Sequence, residues 1–178
     1  MREQKLFPYK NLYPKLSKDV FLAPGVKIIG DVEVGEYTSI WYNSVIRGDV
    51  HYIKIGAYTN IQDCSMLHVT NGKYSLNIGD RVTIAHSVKL HGCTLKDKCL
   101  IGIGAILLDG SVVEENSMIA AGTVLLENFI VPAGKLVAGI PGKIIRDLTN
   151  EEISEIEMSA KRYVDYAATT QESLNNLK

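Results

Sequence analysis

An aliphatic residue recurs every six positions from Leu22 to Val137, and few folds accept such a spacing. Each position in the series is Leu, Ile or Val. The series runs Leu22, Ile28, Val34, Ile40, Ile46, then Ile55, Ile61, Leu67, then Ile78, Ile84, Leu90, then Leu95, Ile101, Leu107, Val113, Ile119, Leu125, Val131, Val137. The residue four places later is usually small or β-branched, as at Val26, Ser44, Val50 and Thr94. Such hexapeptides predict a parallel β-helix, with one aliphatic side chain per strand filling the axis.

The predicted fold class is therefore all-β, with residues 1–148 forming a β-helix and an N-terminal extension. Three hexapeptides make one triangular coil, and coils stack at the sheet spacing of about 4.8 Å. An α/β protein with apolar strands is the alternative, but it does not account for a period of six kept over so many repeats. The spacing does not reveal the handedness, because left-handed winding breaks the usual crossover rule.

Residues 149–178 have a different character and predict a C-terminal α-helix. Thr149 and Glu152 have the spacing of a capping box, and the helix is expected from about Asn150 to Leu174. Acidic residues open it, and the later Lys161 and Arg162 suit its dipole. The partial apolar stripe is Ile153, Ile156, Tyr163 and Val164. Because a lone helix must bury its stripe, we expect it to pack along the β-helix or on a neighbouring subunit.

Composition excludes several classes of protein. The formal net charge is -1 and no segment is strongly basic, which argues against a nucleic-acid partner. No apolar run approaches the roughly 20 residues of a membrane helix, and Met1 to Lys18 holds no signal-peptide core. Three cysteines, Cys64, Cys93 and Cys99, lack zinc-finger spacing and suit a reducing cytoplasm. Cys93 and Cys99 are expected to be buried thiols.

The breaks in the repeat all fall at one corner of the predicted prism. They follow Ile46, Leu67 and Leu90, which occupy one column when the coils are aligned. Repeat proteins tend to place insertions on their functional side. This corner is therefore the candidate site.

Three of the four histidines lie around this corner. His68 follows Leu67 and His91 follows Leu90, so the two should stack on successive coils, with Arg47 in the same place one coil earlier. His86 comes two residues after Ile84 and belongs to the previous corner, where Asp63 should lie beside it.

This arrangement predicts a metal site shared between subunits. His86 should not reach the ion held by His68 and His91 of its own chain, but in a threefold trimer it would meet the pair of a neighbour. Three imidazoles with an open fourth position are the ligand set of a catalytic zinc, and iron or cobalt would also accept them. The alternative is three unrelated surface or core histidines; their clustering at one corner favours the metal.

At these residues the sequence resembles the γ-class carbonic anhydrases, in their short bacterial branch. The matching segments are Ser39-Ile40-Trp41, Val45-Ile46-Arg47-Gly48-Asp49, Asn60-Ile61-Gln62-Asp63, Leu67-His68-Val69, Ala85-His86 and Leu90-His91-Gly92-Cys93. The resemblance covers nearly the whole chain. It implies a left-handed β-helix, a homotrimer, Zn2+ bound by His68, His86 and His91, and reversible hydration of CO2 to bicarbonate.

The resemblance also implies roles for six further residues. Gln62 would orient the reacting solvent and Asn60 would line the CO2 side of the pocket. Arg47 and Asp49 would pair across the subunit interface and contact bicarbonate, although a purely structural ion pair is an equal alternative. Asp63 would orient Arg47 or a ligand, and Tyr163 would lean over the site. Gln62 and Asn60 could instead satisfy backbone groups at the corner.

The sequence departs from the best-studied branch of the family in its loops. The loops after Ile46 and Leu67 contain no glutamate, so the acidic proton shuttle of that branch is missing. His51 is either a solvated loop residue or a substitute shuttle. Two other functions stay open: an acyltransferase that uses acyl-coenzyme A, and a metal-binding trimer without catalysis.

Overall fold

The computed structural model describes residues 4–177, in which short parallel strands wind into stacked coils. Residues 1–3 and residue 178, the ends of the two predicted segments, lie outside this range. The strands are β1 (Leu6–Phe7), β2 (Lys15–Leu16), β3 (Phe21–Leu22), β4 (Lys27–Val34), β5 (Ser39–Ile40), β6 (Val45–Ile55), β7 (Asn60–Ile61), β8 (Met66–His68), β9 (Leu76–Ile78) and β10 (Thr83–Ile84). They continue with β11 (Lys89–His91), β12 (Thr94–Leu95), β13 (Leu100–Ile101), β14 (Ile106–Leu107), β15 (Val112–Val113), β16 (Met118–Ile119), β17 (Val124–Leu125), β18 (Ile130–Val131), β19 (Lys135–Ala138) and β20 (Lys143–Asp147).

The strand register confirms the predicted parallel β-helix and its three columns. Val34 pairs with Ile55, Ile55 with Ile78, and Ile78 with Leu95. The second column joins Ile40, Ile61, Ile84 and Ile101, and the third joins Ile46, Leu67, Leu90 and Leu107. The breaks in the repeat therefore share one corner, between the third column and the first.

The aliphatic series forms the core. Every member from Ile28 to Val137 is buried, and only Leu22, at the open first coil, is half-buried. Val50 and Thr94, which the same pattern predicted at interior corners, are also only half-buried. Both follow a break in the repeat, after Ile46 and after Leu90, where the six-residue spacing is interrupted.

The preceding corner, between the second and third columns, has the same backbone conformation in successive coils. Asn43, Cys64 and Ser87, at equivalent places in three successive coils, all have φ near +60°. This left-handed conformation bends the chain sharply between two short strands. The residues just before these turns, including Asp63 and His86, therefore keep a fixed position from coil to coil.

The C-terminal helix α1 spans Asn150–Asn175 and packs along the β-helix against β3, β5 and β10. The predicted capping box is present: Thr149 Oγ1 accepts from the Glu152 amide, and Glu152 Oε2 accepts from the Thr149 amide. Ile156 is the buried member of the predicted stripe. Lys161 and Arg162 lie in the middle of the helix, so their predicted role at its C-terminal dipole is wrong. Among residues 4–177, no helix has the length and apolar character needed to cross a membrane.

Candidate metal centre

His68 and His91 occupy matching positions on neighbouring strands, as the sequence predicted. They are paired in register between β8 and β11. Their rings face each other, with His68 Nδ1 3.1 Å from His91 Nε2. Two nitrogens on a tetrahedral zinc lie about 3.3–3.4 Å apart, given Zn–N distances of about 2.0–2.1 Å. The pair therefore already has nearly the separation that one shared ion requires.

A carboxylate contacts the far nitrogen of each ring. Asp49 Oδ1 lies 3.0 Å from His68 Nε2, and Asp109 Oδ1 lies 2.8 Å from His91 Nδ1. An ionised carboxylate only accepts hydrogen bonds, so it favours the tautomer that carries the proton on the nitrogen facing it. The nitrogens that face each other, His68 Nδ1 and His91 Nε2, are then both unprotonated.

Burial, aided by nearby positive charge, favours the neutral form of His68. Burial lowers the pKa of His68, and the positive charge of Arg47 lowers it further; together they outweigh the hydrogen bond to Asp49. Burial alone would raise the pKa of Asp49, but hydrogen bonds from Arg47 and His68 outweigh it and hold that pKa below its ordinary value. Neutral imidazole is the form that binds a metal.

These observations fit a divalent cation. Two unprotonated ring nitrogens 3.1 Å apart repel each other unless a proton or a cation lies between them. Imidazole suits zinc, iron and cobalt alike, and carboxylates on the outer nitrogens are the usual second layer of such sites. In residues 4–177, however, no group of three or more His, Cys, Asp or Glu side chains within the single chain is arranged to hold a metal. The pair of His68 and His91 supplies two metal-ligating nitrogens, and a metal site would need further ligands.

His86 lies at the preceding corner, next to Asp63. His86 Nδ1 is 2.7 Å from Asp63 Oδ2, and the His86 side chain is 46% exposed. Within the chain, Asp63 therefore contacts a histidine, whereas Arg47 pairs with Asp49. Because Asp63 contacts Nδ1, Nε2 is the His86 nitrogen left for a ligand.

Gln62 and Asn60 lie on the outer face of the sheet beneath α1, where both are buried. Gln62 Nε2 donates to Asn60 Oδ1 at 3.1 Å, and Asn60 Nδ2 donates to Thr83 Oγ1 at 2.9 Å. Thr83 Oγ1 in turn donates to Ser159 Oγ of the helix at 3.3 Å. Their side chains thus bond each other and Thr83, which in turn bonds the helix, rather than the backbone of the corner.

Tyr163 lines the same cleft as His86. This cleft, of about 570 Å³, is lined by Trp41, Tyr42, Asp63, His86, Tyr163, Tyr166, Thr169 and Thr170. The rings of Trp41 and Tyr163 meet edge to face with centroids 5.4 Å apart. Burial, and then the negative charge of Asp63, raise the pKa of Tyr163, which keeps its hydroxyl a donor at neutral pH.

The expected site residues thus form two groups. Arg47, Asp49, His68 and His91 surround the corner with the breaks, and Asn60, Gln62, Asp63, His86 and Tyr163 lie at the preceding face and corner. Between residues 4 and 177, no hydrogen bond or ion pair joins a member of one group to a member of the other. Within the single chain, the expected site residues therefore lie in two separate groups.

Asp109 is the residue in contact with this histidine pair that sequence reasoning missed. It comes two residues after Leu107, which pairs with Leu90, so it lies one coil beyond His91 at the same corner. Searching the neighbouring coil for carboxylates at this corner would have made it a candidate, although not established its contact with His91. His51, by contrast, lines a separate cleft with Asp49, and its Nδ1 accepts from the Tyr52 amide at 2.9 Å.

The cysteines take no part in this geometry. Cys93 and Cys99 are buried as predicted, and burial raises the pKa of each thiol to about 12. Cys64 is exposed at the left-handed corner. All three are free thiols.

Comparison with known proteins places this fold and site in a family. Residues 13–48 match the bacterial transferase hexapeptide (six repeats) family. A "Probable carbonic anhydrase" of Methanocaldococcus jannaschii is 53% identical over 86% of this chain and 96% of its own length. Gamma carbonic anhydrase 2, mitochondrial, of Arabidopsis thaliana is 47% identical over 86% of this chain, which spans 57% of that longer relative.

Solved structures agree on the fold but are named differently. A hexapeptide transferase family protein from Anaplasma phagocytophilum is 44% identical and superposes with a TM-score of 0.89, over 95% of this chain and 99% of its own. Fold and sequence together define a hexapeptide-repeat β-helix protein. The chain belongs to the γ-class carbonic anhydrase-like family.

Proposed function

We propose that the protein is a zinc-dependent carbonic anhydrase-like enzyme that converts CO2 and water to bicarbonate at a site shared between subunits of a homotrimer. The observation that carries this proposal is the pair of ring nitrogens, His68 Nδ1 and His91 Nε2, that face each other at 3.1 Å while a carboxylate contacts the far nitrogen of each ring. The names of relatives such as the Methanocaldococcus protein support the reaction. A bound zinc ion would supply the Lewis acid that makes water nucleophilic at neutral pH.

His68 and His91 of one chain, with His86 of a neighbour, are the proposed ligands. The carboxylates of Asp49, Asp109 and Asp63 each contact one ring nitrogen of a different histidine and leave the other for the ion. Closed threefold symmetry would give three equivalent sites, because each chain presents one pair and one single histidine at different corners.

The remaining residues would place the reactants. Gln62 uses its amide nitrogen on Asn60, so its carbonyl oxygen is the group that we assign to hold the reacting water. Tyr163 and Trp41 give the cleft beside His86 an apolar wall that suits CO2. Arg47, 39% exposed along its side chain and paired with Asp49, carries the positive charge that would attract bicarbonate.

An acyltransferase is the second candidate, because a solved relative with 44% identity is named in the hexapeptide transferase family. Acyl transfer needs one histidine base and a groove for the pantetheine arm. It does not need three histidines that each contact a carboxylate.

The test is metal analysis of protein purified without chelator, combined with stopped-flow CO2 hydration and acetyl-CoA binding. We expect about one zinc, iron or cobalt per chain, hydration activity with that metal, and loss of both in His91→Ala. Metal without hydration would indicate a binding protein without turnover. Acetyl-CoA binding together with substoichiometric metal would favour the transferase.

A further inference from the structure

We infer that Asp109 is a positioning residue for His91: its carboxylate fixes the proton on Nδ1 and thereby presents Nε2 to the metal. This inference rests on the metal site proposed above. It adds a residue from a third coil to the site.

Two contacts hold the Asp109 carboxylate in place. Oδ1 lies 2.8 Å from His91 Nδ1, and Oδ2 accepts a hydrogen bond from Thr70 Oγ1 at 2.6 Å. The Asp109 side chain is only 17% exposed. Because Thr70 lies two residues after His68, Asp109 connects one proposed ligand to the loop that follows the other.

The local backbone is shaped to allow this approach. Gly92, directly after His91, has a φ of +55°, and a Cβ at this position would lie 2.2 Å from Asp109 Oδ1 and 2.6 Å from Tyr74 Cβ. Any side chain here would push the carboxylate or the loop away. The glycine therefore permits the carboxylate to lie against the histidine strand.

A purely structural role is the alternative, because the β-helix stacks Asp and Asn side chains over glycines at other corners too. Asp97 Oδ1 lies 2.2 Å from the Cβ position of Gly79 and accepts from the Asp80 amide at 2.9 Å. At the same corner as Asp109 and one coil beyond it, Asn128 Oδ1 lies 2.4 Å from the Cβ position of Gly110. An amide is thus compatible with this corner, so Asp109→Asn should keep the stacking and lose only the charge.

The experiment compares wild type, Asp109→Asn and the matched control Asp97→Asn. Zinc affinity is measured by competition with a chromophoric chelator at fixed pH. Ring-nitrogen NMR of the metal-free proteins reports which nitrogen of His91 carries the proton. We expect Asp109→Asn to bind zinc roughly 10- to 100-fold more weakly than wild type, with Asp97→Asn unchanged.

The NMR measurement separates this inference from the proposed function. In metal-free wild type and Asp97→Asn, we expect the His91 proton on Nδ1, whereas Asp109→Asn should show a mixture of tautomers. If wild type binds zinc and Asp109→Asn binds it equally well, the positioning role is wrong and the metal site stands. If wild type binds no zinc, the metal site is wrong, and an unchanged tautomer in Asp109→Asn would also overturn the positioning role.

Discussion

His86 and His91 belong to the same coil but lie at different corners, because His86 comes two residues after Ile84 and His91 comes one residue after Leu90. Their carboxylate partners differ as well: Asp63 contacts His86, and Asp109 contacts His91. Within residues 4–177 these histidines form no common metal-holding group, so the site that we propose combines two copies of the chain.

This geometry predicts complementation between inactive variants. His86→Ala keeps the His68 and His91 pair, and His91→Ala keeps His86. If each site combines the pair of one chain with the His86 of a neighbour, randomly mixed trimers should regain roughly a quarter of the wild-type sites. The measurement is bound zinc and hydration activity after the two variants are unfolded and refolded together. No recovery, with mixed trimers formed normally, would contradict a site shared between neighbouring chains.

Arg47 should tune the protonation of His68 in the metal-free protein. Its charge lowers the His68 pKa directly, and its hydrogen bond to Asp49 competes with His68 for that carboxylate. Arg47→Leu removes both effects, so the pKa of His68 should rise. An NMR titration of the metal-free variant measures this. Lys54→Leu, at an exposed position on the same strand, is the control and should leave His68 unchanged.

The β-helix core should be intolerant of lost volume. Ile84 is fully buried at the centre of the second column, between Ile61 and Ile101. Ile84→Ala should lower the free energy of unfolding by about 2–5 kcal/mol, because a cavity opens between rigid coils. Ile140→Ala, at a position 76% exposed, is the control. Denaturant unfolding measures the free energy of unfolding of both variants. Equal losses of this free energy would mean that the second column does not form the core.

Much of this structure could be predicted because a β-helix converts sequence spacing directly into position. The pairing of His68 with His91, and of Asp63 with His86, follows from counting residues after Leu67, Leu90, Ile61 and Ile84. The contact of Asp109 with His91 could not be counted in this way. It depends on the side-chain conformation of Asp109 and on the space left by Gly92, and a hexapeptide pattern does not encode either.

The helix illustrates a similar limit. The capping box fixed its start at Asn150, because Thr149 and Glu152 satisfy each other's amides locally. Its predicted end, Leu174, is one residue from the observed end at Asn175. The charge near that end was predicted wrongly, because Lys161 and Arg162 lie in the middle of the helix and no basic residue lies in the last turn.

The capping box gives a pH dependence. Hydrogen bonds from Arg146 and from the Thr149 amide lower the pKa of Glu152 from its ordinary 4.5 to about 2. A depressed carboxyl pKa contributes stability that is present above pH 4.5 and is lost as the pH falls through 2. Thermal unfolding of wild type and Glu152→Gln should thus differ at pH 6 and converge near pH 2. A difference that persists at pH 2 would exclude the carboxylate as its source.

Gly122 and Gly92 both have a left-handed φ but differ in the space around them. Gly122 has a φ of +68° and no atom within 4 Å of an added Cβ, whereas an added Cβ at Gly92 would meet Asp109 and Tyr74. Gly122→Ala should cost about 1–2 kcal/mol, from backbone conformation alone, and leave zinc affinity unchanged. Gly92→Ala should destabilise the fold more and also weaken zinc binding, because the carboxylate is pushed away from His91. Chelator competition and denaturant unfolding on both variants measure the two effects separately. Unchanged zinc affinity in Gly92→Ala would mean that the close approach of Asp109 to His91 does not affect the ion.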